Sequence, residues 1–392
     1  MTIFYIFLVI LLVAMPLLGL FASIPFYLRA KKPVQKITFS ILLGVLVGFF
    51  AYHLVPEPNF DIVRHQAITE RYMAVDTIDG FFDLSTRIDL EIIPQFYSFL
   101  ISKTGNLDLL QFFVVTAGFS MLFYILIDYK NKKELELKHF IPIFVVALFA
   151  QSLIYYFSGL YNYFAMSLFA FAFYLDYIKN RKVAPYILYV LLIFIHNSML
   201  FPVLLLALYK ICGNKINIKT CVIFVGGAVL VPLILTYLVD SLGVTSLDPI
   251  RTTLNAYMTR NDDFSKFYTD ANLIMDVLQY ATVAITCFIT RNNKENKKFR
   301  DFTILFMISS GLMLINSIVF IRFFSLVLYL GLIPMMDAIK NRAKGFRYLI
   351  AAICVTAVVS AVINIHKLYP YGYNKLVQTR ITSGYSKFME KS

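Results

Sequence analysis

Apolar runs long enough to cross a lipid bilayer recur along this 392-residue chain, and the short links between them hold many of its lysines and arginines. A span needs about 20 apolar residues, because the hydrocarbon core is about 30 Å thick and a helix rises about 1.5 Å per residue. Lipid offers the backbone no hydrogen-bond partner, so such runs must pair their polar groups internally, as helices do. The expected fold class is all-α, a polytopic transmembrane helical bundle of about 10–12 membrane helices within one integral membrane domain, 1–392.

Composition enters where it excludes. A chain that is 59% hydrophobic at this length is not a soluble domain. The formal net charge of +13 would suit nucleic acid if the bases formed a patch, but they sit in links such as 29–36, 130–138, 179–182, 291–300 and 340–347. That placement is the orientation signal of membrane proteins, with basic links inside; a lipid bilayer is the expected partner and nucleic acid is not. Cys212, Cys221, Cys287 and Cys354 have no CxxC spacing, which argues against zinc or a disulfide framework. The chain has no Walker loop, no dinucleotide fingerprint and no HExxH, so neither cofactor nor metal is expected.

The charge rule orders the spans. Ile3–Leu28 reads as a retained first span rather than a signal peptide. Ile37–Val55, Leu107–Ile127, Phe140–Phe157 and Asn162–Ile178 then alternate across the membrane, as do Ile218–Val239, Ala271–Thr290, Asp301–Phe320, Phe323–Ile339 and Phe346–Ile365. Two long polar segments, 56–106 and 240–270, fall outside, the first strongly acidic. Ile92–Ile101, within the first, is too short to span. The tail 366–392 also falls outside, although its bases run against the rule. A single helix over Val183–Tyr209 would put every later basic link on the wrong side. Two short helices, 183–195 and 198–209, preserve the alternation and form a re-entrant-like hairpin with His196 near its outward tip.

His196 lies amid apolar sequence, where an ionisable side chain marks a functional site unless it is simply satisfied in place. The plain alternative is an interfacial histidine, or a helix cap made by Asn197-Ser198. The other outward-facing candidates are Arg64, Arg71, Arg87, Arg251, Arg260 and Arg322, with Asp61 and Glu91 at the rim. Arg322 is expected in a tight turn between two apolar helices; the other arginines lie among acids or on a polar helix face, where solvated ion pairs are the ordinary outcome. Asp176 is expected to pair with Lys179, and Asp276 lies near the outer end of its span.

Around His196 the order of features is a Gly159-Leu160 pair, two polar positions, an alanine, a helix, the basic link 179–182, a second helix, then His196 with Ser198 nearby. This arrangement resembles the core of the EpsG/Wzy-type polysaccharide polymerases of bacteria. In that family Arg-Gln usually follows Gly-Leu, whereas Tyr161-Asn162 stand there in this chain. Asp61 and the segment Glu91–Tyr97 are the nearest matches to its first outer loop, and Arg322 matches an arginine before an aromatic helix.

The resemblance implies a membrane glycosyltransferase in the bacterial cytoplasmic membrane that joins oligosaccharide repeat units carried on undecaprenyl pyrophosphate, alongside flippase and chain-length partners. It implies His196 and Arg322 as catalytic residues. Asp61, Arg64, Arg71, Glu91, Tyr161, Asn162, Arg251 and Arg260 are then expected to bind substrate, the arginines because a guanidinium donates paired hydrogen bonds to phosphate. A flippase for the same lipid-linked sugars, or a ligase for the finished polymer, stays open as an alternative.

Overall fold

The structure, a computed structural model, describes residues 16–54, 60–84, 91–150, 152–214, 226, 270–312, 317–342 and 345–368. Among them all regular structure is helical. The helices are α1 (Pro16–Arg29), α2 (Pro33–Tyr52), α3 (Asp61–Arg71), α4 (Ile78–Leu84), α5 (Ile92–Ser102), α6 (Leu109–Lys133), α7 (Leu137–Leu148) and α8 (Leu153–Ser158). They continue as α9 (Leu160–Tyr177), α10 (Ala184–Ile195), α11 (Leu200–Ile211), α12 (Asp270–Thr290), α13 (Lys297–Leu312), α14 (Ser317–Lys340) and α15 (Phe346–Leu368). Among the described residues, α2, α6, α14 and α15 are long and apolar enough to cross a membrane. The chain is an all-α polytopic helical protein.

Side-chain contacts sort the helix ends into two groups. At one end Lys36 Nζ of α2 and Lys179 Nζ after α9 both reach Asp128 of α6, at 2.7 and 3.0 Å. There too Lys133 of α6 pairs with Asp337 of α14 at 2.8 Å and with Glu295 before α13. At the opposite end Asn106, before α6, bonds the Tyr52 hydroxyl of α2 at 2.9 Å. Asn364 of α15 accepts from the Leu153 amide of α8 at 2.6 Å. The links rich in lysine and arginine thus gather at one end of the bundle, and His196 lies at the other. This is the alternation that the charge pattern requires.

The tightest helix pair is α2 on α6. Gly44 and Gly48 present a bare backbone to Thr116 and Ser120. A Cβ at either glycine would sit 2.1 Å from a hydroxyl oxygen, Ser120 Oγ or Thr116 Oγ1. Small residues four apart allow this approach where apolar surface gains nothing by leaving lipid.

The segment 183–211 folds as a hairpin. Lys210 in the last turn of α11 bonds Asp176 and, at 2.9 Å, the hydroxyl of Tyr186 in the first turn of α10. The far ends of the two helices therefore lie together. Each has 12 residues, about 18 Å of helix, or a little over half a hydrocarbon core. The break falls at His196, whose backbone is extended (φ −156°, ψ 122°), followed by a 3₁₀ turn at Asn197–Met199. Asn and Ser compete with helical hydrogen bonds through their own side chains, and Pro202 is tolerated in the first turn of α11.

Three expectations need correction. Phe140–Phe157 is not one helix: it breaks after α7, and α8 begins at Leu153. Asp176 pairs with Lys210, at 2.5 Å, while Lys179 turns to Asp128 instead. Arg322 is not in a turn: α14 starts at Ser317, so Arg322 occupies its second turn. Ile218–Val239, Arg87 and most of the loop 240–270, with Arg251 and Arg260, lie outside the described residues, as does the tail beyond Leu368.

Candidate active site at the His196 break

The local fold around His196 follows from two interruptions brought face to face. One is the break between α10 and α11. The other is Gly159, which joins α8 to α9; a Cβ there would meet the Tyr163 ring at 2.9 Å and the Tyr155 carbonyl oxygen at 3.3 Å. Any larger residue would have to displace the Tyr163 ring, so glycine suits this bend. The bend sets Tyr161 and Asn162 in the first turn of α9, beside the hairpin tip.

His196 uses its two ring nitrogens differently. Nδ1 accepts from the Ser198 amide at 3.2 Å and lies 2.7 Å from Ser198 Oγ. A backbone amide can only donate, so Nδ1 carries the lone pair and the neutral ring holds its proton on Nε2. Nε2 faces Glu91 Oε1 at 3.9 Å. The same carboxylate oxygen accepts from the Asn197 amide at 3.4 Å. The single Ser198 Oγ proton has a second acceptor within reach, Asn162 Oδ1 at 3.3 Å.

Ser198, His196 and Glu91 thus form a hydroxyl, imidazole and carboxylate in series, with Asn162 flanking the hydroxyl. The plain alternative had Asn197-Ser198 as the cap, whereas His196 itself caps the 3₁₀ turn, with one nitrogen only. Asn197 Oδ1 beside it is buried and has no hydrogen-bond partner.

Tyr161 walls this site. It is 5% exposed, its hydroxyl lies 3.3 Å from Ser98 Oγ, and its ring is crossed edge-on by the His65 imidazole at 4.8 Å. Asp61 is tied to this wall through its amide, which donates to Ser158 Oγ at 3.1 Å. Arg64 reaches Asp61 Oδ1 at 3.0 Å from an exposed position. Two groups of contacts therefore meet at consecutive residues of α9: Asp61, His65 and Tyr161 in one, with Arg64 on its rim, and Glu91, His196, Ser198 and Asn162 in the other. Arg71 is exposed at the far end of α3, ten residues on, about 15 Å away. Arg322 lies in α14.

Sequence reasoning passed over three members of this cluster. His65 stands four residues after Asp61, the spacing that puts two side chains on one helical face, and that signal was available. Ser198 was noted only as a neighbour of His196. Ser98 carries no pattern of its own. Among the described residues no group of His, Cys, Asp and Glu could hold a metal ion.

A hydroxyl, an imidazole and a carboxylate thus meet at a break between two half-length helices. Compared with known families, residues 72–373, most of the chain, match the EpsG family. The chain belongs to the EpsG family. No curated protein and no solved structure matches it. Within this EpsG-family chain, Glu91, Tyr161, Asn162, Ser198 and His196 all fall inside the matched region, whereas Asp61, Arg64, His65 and Arg71 precede it.

Proposed function

We propose that this protein polymerises oligosaccharide repeat units carried on undecaprenyl pyrophosphate, by glycosyl transfer at the outer face of a bacterial cytoplasmic membrane. The observation that carries this reading is the Ser198–His196–Glu91 series at the end of the bundle away from the basic links. Membership of the EpsG family supports the polysaccharide chemistry.

The step needs a base and a stabilised leaving group. A hydroxyl of the acceptor repeat unit attacks the anomeric carbon of the donor. The new carbon–oxygen bond forms as the bond to the pyrophosphate breaks, and the bonding pair leaves on the phosphate oxygen. The acceptor's proton passes to His196 Nδ1, directly or through Ser198 Oγ, and Glu91 stabilises the imidazolium across Nε2. A positioned base of this kind contributes about 10²–10⁴-fold. Asn162 and the orphan Asn197 oxygen orient sugar hydroxyls. Arg322, Arg251 and Arg260 are proposed to assist on the pyrophosphate. Flippase and chain-length proteins are the expected partners in delivery and termination.

The test is replacement of His196 by Ala in the native host, with membrane levels confirmed by an epitope tag and surface polysaccharide sized on a gel. A ladder that collapses to single repeat units supports the polymerase. An intact ladder at normal protein levels overturns the role of His196. Single repeats trapped on lipid at the inner face point to a flippase instead.

A further inference from the structure

The segment between α2 and α6 carries a small core of its own. Tyr72, Phe81 and Phe99 are buried against one another, with Ile68 and Val75 packed on them, apart from the main core of the bundle. They come from α3, the 3₁₀ turn Tyr72–Ala74, α4 and α5. α5 pins this unit to the bundle. Glu91, which precedes α5, takes the Asn197 amide of the hairpin tip at 3.4 Å. The Tyr97 hydroxyl lies 3.2 and 3.0 Å from the Leu109 and Leu110 carbonyl oxygens, in the first turn of α6. Ser98 Oγ lies 3.3 Å from the hydroxyl of Tyr161, in the first turn of α9. Three helix ends thus meet one short helix, so α5 lies across the histidine end of the bundle rather than along it.

Large apolar side chains stand exposed on α4 and α5. Ile92, Phe96 and Leu100 recur every four residues and are all exposed, which makes one stripe along α5. The whole of α5, IIPQFYSFLIS, contains no charged residue. On α4 the same spacing puts Ile78 and Phe82 on one face, beside Asp79 and Asp83 on the adjoining one. The ring of Phe81 joins the two helices: its centroid lies 5.2 Å from that of Phe82 and 5.6 Å from that of Phe96. Phe82 is 57% exposed and Leu100 49%. The row from Phe82 through Phe96 to Leu100 is therefore apolar surface that this unit does not bury in itself.

We propose that this row is seated in the lipid leaflet at the histidine end, so that α5 is an interfacial helix lying in the plane of the bilayer. Three observations make the bilayer the occupant. The chain has helices long and apolar enough to cross it. α5 lies at the level where α6 and α9 begin, which is where a span leaves the hydrocarbon. α10, which packs against α5, also turns exposed apolar side chains outward, among them Ile187, Val190 and Phe194. Helices with an apolar face and a polar border settle at the boundary of headgroups and acyl chains, and an apolar row left in water is an aggregation liability. Asp76, Asp79 and Asp83 supply the polar border. Glu91 stands at the start of the seated helix, so the seating fixes this carboxylate near the bilayer surface. That placement holds whether or not the site polymerises sugars.

The chain contains no tryptophan, so one introduced indole reports its own surroundings. Phe82→Trp and Phe96→Trp are prepared in the full-length protein and placed in vesicles of phosphatidylglycerol and phosphatidylethanolamine that hold no isoprenoid. Their fluorescence is titrated with lipid brominated on the acyl chain and with aqueous acrylamide. Val358→Trp, at an exposed position inside the apolar helix α15, reports acyl chains. Asp76→Trp, at an almost fully exposed side chain, reports water. Both row variants should lose emission to brominated lipid, as Val358→Trp does, and should be shielded from acrylamide relative to Asp76→Trp. Bromine near the headgroup should quench them more than bromine at mid-chain, the reverse of Val358→Trp.

Row variants that acrylamide quenches as strongly as Asp76→Trp, with no response to brominated lipid, overturn the proposal, because the row then faces water. Shielding from both quenchers also overturns it, because another part of the chain or a second copy then covers the row. Quenching by brominated lipid that vanishes when undecaprenyl pyrophosphate is added in equal amount to the protein assigns the row to an isoprenoid chain instead, and overturns it as well. A thermal midpoint near wild type shows that a variant is folded. If neither phenylalanine variant folds, Leu100→Trp decides by the same readings.

Discussion

The two ends of this bundle treat charge in opposite ways. At the basic end, acids and bases are closed into short contacts. Asp128 takes Lys36, Lys179 and the Tyr174 hydroxyl, all within 3.0 Å. Asp337 takes Lys133 and Asn296 at 2.8 Å each, together with Tyr129. At the histidine end the histidine–carboxylate contacts are longer, although Arg64 holds Asp61 at 3.0 Å and Ser198 Oγ lies 2.7 Å from His196 Nδ1. His196 stands 3.9 Å from Glu91 and His65 3.7 Å from Asp61, and the Asn197 oxygen is left without a donor. Short buried pairs fix helices in place, and the longer histidine–carboxylate contacts sit beside the helix break.

The largest effect should come from breaking the saturated end. Asp337→Ala strips Lys133 of a buried partner and removes the carboxylate that Tyr129 and Asn296 share, leaving that pair only the bond between them. Breaking a buried pair from one side costs about 3–5 kcal/mol. We expect the folded protein to be lost from membranes, or its thermal midpoint in detergent to fall steeply, before any question of activity arises.

The next largest belongs to the open end and should separate from stability. His196→Gln should lower polymerisation by about 10²–10⁴-fold, the range for a positioned base, with a thermal midpoint near wild type. A matching loss of stability would mean that His196 belongs with the structural charges after all.

Glu91→Gln and Ser198→Ala probe how loose that end is. Each removes one partner of His196 but leaves the ring in place. Each should reduce the rate about tenfold, the scale of one hydrogen bond to a charged group. Their combination should fall short of the product of the two, because both act through one imidazole.

The smallest effect tests the rim of the basic end. Lys133 donates a hydrogen bond to Glu295 and holds its carboxyl below the usual glutamate range. A depressed carboxylate stabilises the fold fully above its unfolded value of about 4.3, and that contribution is lost as pH falls through the lower folded value. Glu295→Gln should therefore flatten the acid limb of a thermal-midpoint curve slightly and leave neutral pH almost unchanged. Glu295 is half exposed, which keeps the effect small.

Much of this contrast was legible in the residues. Apolar runs and basic links gave the helices and their alternation, because both follow from solvation alone. The hairpin break at His196 followed from the same counting, since one long helix would have inverted every later link. What sequence could not supply was which acid each base would meet. Asp176 had Lys179 three residues away, yet the helix turns Lys179 to Asp128 on another helix and leaves Asp176 to Lys210. Asp128 and Asp337 carry no pattern that marks them in the sequence, and only packing buries them. Arg322 was misplaced because α14 begins at Ser317, several residues before the turn that its charge suggested. At the site, Glu91 and Asp61 stood out among the outer-face charges and in the resemblance, whereas His65 needed only the four-residue spacing from Asp61.

The central claim is that the open end makes glycosidic bonds. Its most direct measurement uses the purified protein in lipid vesicles, supplied with lipid-linked repeat units from a host that lacks it. Chain length and released undecaprenyl pyrophosphate are then followed together by mass spectrometry. Chains of several repeats, with one undecaprenyl pyrophosphate released per linkage and both lost in His196→Gln, are the predicted result. Repeat units that cross the bilayer without joining, or chains that grow equally well in His196→Gln, would contradict it.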